Sequence, residues 1–321
     1  MGRFIVRRAL FGLLVLFIIS LAVFVLFFVV APGDPAANFV GKNPSPEQIQ
    51  QARVKYNLDK PVPEQYLLYV NRLVHGDLGY SFRNEEPVLS TLEARLPITA
   101  SLAIGGAIVW LLIGIPIGIL AATKPRSLRD RAATVFALGG LSVPTFVVGL
   151  LFLYFFFYVF RVKLGLNWFP GNGYIPLTED PVGWTQHLIL PWFALALVSA
   201  ASYSRITRGS LLEVLGEDYI RTARAKGLSE RRVTYRHGLR SALTPVVTLL
   251  GIDVGSLLGG AIVTEAVFGL NGVGQLAVQS VVIGDLPVIF GTVLLAAFFI
   301  VVANILVDIV YAMLDSRVRL A

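Results

Sequence analysis

The chain has no cysteine. A disulfide framework and a cysteine metal site are therefore both excluded. Histidine is scarce, and His75, His187 and His237 are too scattered to form a metal site. Charge is scarce as well. Asp, Glu, Lys and Arg make up 15% of the 321 residues, against about 25% in an ordinary soluble domain. No Gly-x-x-x-x-Gly-Lys-Ser/Thr string occurs, so the chain carries no phosphate-cradling loop of that kind. Internal repeats and clustered intramembrane charge, the marks of ion-coupled transporters, are missing. So is a nucleophile with its base, or a protease-like string around Asp253 or Asp308, as an intramembrane enzyme would need.

What is present is apolar sequence. Hydrophobic residues make up 55% and the mean hydropathy is +0.72. The charges collect between long uncharged stretches. Lipid demands that pattern, because a helix needs roughly 20 apolar residues to cross a hydrocarbon core of about 30 Å. The net charge of +7 and pI near 9.7 therefore reflect basic loops held on one side of a membrane, and no nucleic-acid partner is expected.

Apolar runs predict an all-α protein of about six spans: 9–30, 98–122, 132–160, 187–203, 242–267 and 288–314. The first run is too long for a signal-peptide core and is read as an uncleaved span. Gly114, Pro116, Gly118 and Pro144 lie inside these runs, where spanning helices tolerate them. The pair Gly114 and Gly118 has the spacing that lets two helices approach closely.

Lys and Arg set the orientation. With the N-terminus inside, the inner segments hold Arg3, Arg7 and Arg8, then Lys124, Arg126, Arg129 and Arg131. They also hold nine basic residues in 205–240, with Arg317 and Arg319 at the end. Among short segments, only Arg161 and Lys163 fall outside. Both termini are therefore expected on the cytoplasmic side.

Three regions follow. Residues 1–30 form the N-terminal segment and first span, 31–97 an extracytoplasmic loop or cap, and 98–321 a five-span core. In the cap, Ser45 is expected to N-cap a helix on which Ile49, Ala52 and Tyr56 keep helical spacing. A second helix, 64–74, is expected to turn Tyr66, Leu67, Val70, Leu73 and Val74 to one side. The stretch Gly76-Asp77-Leu78-Gly79 is a turn.

The inner loop 205–240 carries the clearest local pattern. Glu217 and Asp218 suit a helix start, and Arg224 and Lys226 suit its end. Gly227 can take the left-handed conformation that stops a helix, and Ser229 can cap the next one. Tyr219, Ala223 and Lys226 are expected to share a face. The small residues Ala223, Ala225 and Gly227 would let a partner come close, and the basic side chains could pair with its acids. In the fifth run, Asp253 is an ionisable group at membrane depth. Insertion there costs about 2.5–3.5 kcal/mol, so it should line a path or hydrogen-bond another helix. Glu265 and Asp308, nearer span ends, are expected to pack or cap.

The string Tyr219…Thr222-Ala223-Arg224-Ala225-Lys226-Gly227-Leu228, followed by His237…Arg240-Ser241-Ala242…Pro245-Val246-Val247, resembles the loop of membrane subunits of bacterial ABC importers. The closest likeness is to the peptide branch. Further strings in the same order support it: Pro32-Gly33-Asp34-Pro35-Ala36, Tyr56-Asn57-Leu58-Asp59-Lys60-Pro61 with Gln65-Tyr66, Gly76-Asp77-Leu78-Gly79-Tyr80-Ser81 with Pro87-Val88, and Thr264-Glu265-Ala266-Val267-Phe268 with Gly272-Val273-Gly274. There are departures. Arg221-Thr222-Ala223 stands where the general importer loop has Glu-Ala-Ala, Pro245 lies further along than in that pattern, and Asn271 stands where the branch often has Pro.

The resemblance implies a non-catalytic subunit of the first-permease type in the bacterial inner membrane. It would pair with a second permease subunit and receive solute from an extracytoplasmic binding protein. Two ATPase subunits would sit beneath, holding ATP and Mg, so this chain needs no cofactor. The contact with the ATPase would fall on Glu217, Tyr219, Thr222, Ala223, Arg224, Ala225, Lys226, Gly227 and Leu228. Dipeptides or oligopeptides are the implied cargo; nickel chelates, glutathione and other peptide-like solutes are served by relatives of the same branch.

Overall fold

The computed structural model describes residues 2–30, 34, 36–37, 40, 45–81 and 85–314, with the side chains of 2–5, 162 and 311–314 left out. Met1, Pro32, Gly33, Pro35, Arg317 and Arg319 lie outside the described residues, as does the side chain of Arg3.

The elements are almost all helical. Helix α1 (Gly2–Phe24) widens into π-type turns at Val25–Val30. Then come α2 (Pro46–Lys55), α3 (Val62–Val74) and a short antiparallel pair, β1 (Tyr80–Ser81) with β2 (Glu86–Pro87). The bundle follows: α4 (Val88–Thr123), α5 (Leu128–Ser142), α6 (Thr145–Phe152) with π-type turns to Lys163, and α7 (Pro181–Leu215). The remainder is α8 (Asp218–Ala225), α9 (Glu230–Arg232), a π-type stretch Val233–Gly238, α10 (Leu239–Ala242), α11 (Thr244–Leu258), α12 (Ile262–Phe268), α13 (Val273–Ile283) and α14 (Leu286–Leu314).

By length and composition these helices allow four to seven membrane crossings. Their directions favour six. Gly105, Gly106, Gly114 and Gly118 of α4 lie against Trp192, Leu195, Ala200 and Thr207 in the same order, so α4 and α7 run parallel. The chain between them must return, which makes α5–α6 a crossing. Gly251 and Gly255 of α11, and Gly259 just after it, meet Val307, Ala303 and Ala296 in reverse order, so α11 and α14 are antiparallel. Helix α1 is antiparallel to α14 too, with Arg8 paired to Asp308 at 2.9 Å and Phe27 beside Phe290. The start of α1 and the end of α14 therefore share a side. Helices α12 and α13 meet at 93° and form a hairpin between the end of α11 and the start of α14, which that alternation places on one side.

Two expected spans are revised. The run 132–160 is broken, because Val143 is extended (φ −99°, ψ 122°) and α5 and α6 meet at 95°. The cause is Pro144, whose ring disfavours helical geometry in the residue before it. The run 242–267 ends early, at Leu258. Gly260 has φ +132° and a Cβ there would lie 2.4 Å from Gly274 Cα. Only glycine fits that conformation and that approach, so the helix stops and the hairpin begins.

Helix α3 packs on α1. Ser45 forms a reciprocal capping box with Gln48, and Ala52 and Tyr56 are buried beside Ile49, as expected. On α3 the inward residues are Tyr66, Tyr69, Val70 and Leu73, whereas Leu67 and Val74 stand exposed. The tyrosines decide this: Tyr66 and Tyr69 pack on Phe24, and Tyr66 Oη lies 2.9 Å from Ser20 Oγ.

The tightest seam is α4 against α7. A Cβ on Gly118 would come within 2.7 Å of the Ser204 carbonyl and 2.6 Å of Thr207 Cβ. Small residues allow this backbone approach. A Gly118→Val variant is expected to lose stability by about 1–3 kcal/mol through overpacking, read as a lower melting midpoint in detergent. An unchanged midpoint would show that the seam is not close-packed.

Candidate docking and coupling site

Helix α8 is short, and its amphipathic character fixes how it sits. Ile220 and Ala223 are buried with Val233, against Val214, Leu215 and Leu228. The opposite face is exposed: Glu217, Asp218, Tyr219, Arg221, Thr222, Ala225, Lys226 and Gly227. The expected shared face of Tyr219, Ala223 and Lys226 is therefore split. Ala223 turns inward because Ile220, one turn back, is pulled into the apolar pocket at the end of α7. The small outward residues are Ala225 and Gly227.

The helix stop is built as expected. Gly227 has φ +76°. Its N–H donates to the Arg224 carbonyl at 2.9 Å, and the Leu228 N–H donates to the Ala223 carbonyl at 3.4 Å. This is the paired arrangement that satisfies the last carbonyls of a helix, with an apolar contact between the residues at its ends. Ser229 stands at the start of α9 without a side-chain capping bond, and Glu217 likewise precedes α8.

Arg224 faces its own chain, contrary to the expectation of a free cation for a partner. Its guanidinium donates to Glu230 Oε1 at 2.8 Å and to the Leu215 carbonyl at 3.3 Å, which braces the loop against the end of α7. Among the described residues, Arg221 forms only an exposed pair with Asp218, at 3.2 Å. Such exposed pairs contribute little, so Arg221 stays available to a partner. Tyr219 Oη lies 3.4 Å from Ser241 Oγ, which ties α8 to the stretch leading into α11.

Asp253 belongs to another place, inside the bundle. Tyr203 of α7 donates to its Oδ2 at 2.8 Å, and the Trp110 ring lies 5.7 Å from that of Tyr203. The contact is thus a helix–helix hydrogen bond, one of the two roles open to it. A cavity of about 910 Å³ lies beside the first half of α4, walled by Ser101, Tyr174, Trp184 and Trp192, and Asp253 does not line it. Asp308 pairs with Arg8.

Glu265 has a larger part than packing or capping. It is fully buried. Its carboxylate accepts from Thr99 Oγ1 at 2.7 Å, Ala261 N at 3.2 Å and Gln275 N at 2.8 Å. Thr99 Oγ1 also accepts from Val273 N at 2.9 Å. One acid thus ties both arms of the α12–α13 hairpin to α4. The signal in the sequence was an acid in an apolar run flanked by Gly259-Gly260 on one side and Gly269, Gly272 and Gly274 on the other. Asn271 in this hairpin has φ +51°, which proline cannot adopt and asparagine tolerates.

The family described as binding-protein-dependent transport system inner membrane component matches residues 114–320. The corresponding N-terminal family matches residues 1–103. The chain is 40% identical over 319 residues to a putative peptide transport system permease protein of Brucella abortus, covering 99% of both. It is 40% identical to the oligopeptide transport system permease protein AppB of Bacillus subtilis, covering 99% of this chain and 100% of that one. It is 38% identical to the dipeptide transport system permease protein DppB of Escherichia coli, covering 99% of both. Among solved structures, a chain of the inward-facing MetNI methionine ABC transporter superposes with a TM-score of 0.54 at 21% identity, over 71% of this chain and 97% of that one. That likeness concerns the fold.

Proposed function

The chain belongs to the binding-protein-dependent transport system inner membrane component family, and from that premise we propose that it is a permease subunit of an ATP-driven importer of dipeptides or oligopeptides. The names of its full-length relatives support the cargo. It does no chemistry itself. A second permease subunit completes the path, and an extracytoplasmic binding protein delivers the peptide. Two ATPase subunits hold ATP and Mg.

The observation that carries the coupling role is the construction of α8. One face is locked onto the end of α7 through Ile220 and Ala223, while the other, with Tyr219, Thr222, Ala225 and Lys226, stands exposed. A lever needs that combination of a stiff root and an open contact face. The excess of Lys and Arg beside α8 supports a cytoplasmic position for this side and for both termini. Outward-open and inward-open states must lie close in energy for ATP to shift between them.

The test is reconstitution. In proteoliposomes with the second permease, the ATPases and the binding protein, labelled di- or oligopeptide should accumulate only with ATP. Uptake by this chain alone, driven by an ion gradient, would overturn the reading.

A further inference from the structure

At the root of this lever lies a half-buried ion pair, with Asp130 buried and the Arg208 side chain 33% exposed, that the docking contact does not use. Asp130 opens α5 and is 5% exposed. Arg208 of α7 grips its carboxylate with Nε and Nη2, the latter at 3.0 Å from Oδ2. The same Oδ2 accepts the Arg126 N–H at 2.8 Å. Arg126 has φ +64°, a conformation that non-glycine residues avoid unless something holds it. Here Asp130 holds it, while Ser127 caps α5. One carboxylate thus fixes the α4–α5 turn, the start of α5 and α7 to each other.

Arg208 lies two turns before the end of α7, the end onto which α8 is locked. Further along α5 a small-residue contact with α7 follows, where a Cβ on Gly140 would lie 2.6 Å from Ala201 Cβ. Such a surface lets helices slide. A two-pronged guanidinium–carboxylate contact does not, since its planar geometry fixes register and angle. Beyond Gly140 comes the 95° bend at Val143-Pro144. Past the bend, Gly149 of α6 lies against Val267 and Phe268 of α12. A continuous line therefore runs from α8 through α7, the ion pair, α5 and the bend to the hairpin on the far side.

We propose that Asp130 and Arg208 are a coupling strut, positioning residues that make α5 follow α7 when the docking helix moves, so that the α5–α6 bend shifts α12. This rests on the importer reading above. Stability is a weak explanation for the pair, because an ion pair with one partner a third exposed is screened by solvent and contributes little. What an apolar pair does not supply is direction.

The test uses the full importer in proteoliposomes, with a labelled dipeptide, ATP and the binding protein. Uptake and ATP hydrolysis are measured per assembled complex. Asp130→Asn is expected to lower peptide moved per ATP by roughly tenfold, within the range of ordinary coupling energies, while basal hydrolysis persists. Arg208→Lys, which keeps the charge and loses the fork, should fall between. The double variant Asp130→Leu/Arg208→Met leaves neither charge unpaired and should assemble yet stay uncoupled, which keeps the test alive if a single variant folds poorly. Uptake per ATP at the unsubstituted level in that double variant would overturn the strut. So would an Asp130→Asn complex that is scarcer yet moves peptide normally. An unsubstituted complex without ATP-driven uptake would overturn the importer reading, and the strut with it.

Discussion

A Glu265→Leu chain is expected to accumulate in the membrane at a small fraction of the normal level, with a much lower melting midpoint. The side chain is nearly the same size, so lost volume is not the cause. The cause is three donors left without an acceptor: the Thr99 hydroxyl and the N–H groups of Ala261 and Gln275. Each buried, orphaned donor costs about 1–3 kcal/mol, and whole domains are stable by only about 5–15 kcal/mol. Glu265 is fully buried, so bulk solvent does not compensate for the lost acceptor. Glu265→Gln should be milder. Its carbonyl can still serve two of the donors, while its amide group meets the third as a second donor. Membrane protein levels and melting curves for both variants check this. A Glu265→Leu protein with normal yield and midpoint would show that the hairpin is held by packing alone.

The second large effect separates the two faces of α8. Ala225→Trp should leave this subunit folded, because position 225 is exposed. It should nevertheless abolish co-purification of the ATPase subunits and ATP-driven uptake, because the bulk stands where a partner must approach. Ala223→Trp should also abolish uptake, but by a different route. Position 223 is packed beside Ile220 and Val233, so an indole there levers α8 off the end of α7 and lowers the subunit's own midpoint. Gly227→Trp lies between, since the space around position 227 is open but its φ of +76° strains a side chain by roughly 1–2 kcal/mol. If Ala225→Trp still binds the ATPases and transports, the docking face lies elsewhere. Equal midpoints for the two alanine variants would contradict the burial of Ala223.

Much of the membrane architecture and of the inner loop's local form was legible in residue order, and the reason is solvent. Lipid forces apolar runs into helices, so the existence of the spans follows from local composition. Gly227 as a stop and Ser45 as a cap were legible too, since each acts within one helical turn. The ends and bends of spans were less so: Pro144 breaks its helix, while Pro97, Pro116 and Pro191 lie within theirs. What surrounds a proline decides which happens, and sequence spacing does not carry that.

For the inner loop, the sequence alone determined that a short helix, a glycine stop and a basic surface stand together. Only the tertiary structure decided which face of that helix is free. The apolar pocket that claims Ala223 is assembled from α7 and the stretch after α9, and a repeat of about 3.6 residues cannot rank two nearly equivalent faces. The same holds for the acids. Glu265 meets Thr99 across 166 positions, and Asp130 meets Arg208 across 78. Partners so far apart in the chain leave no local pattern to read. Their roles exist only once the helices are packed.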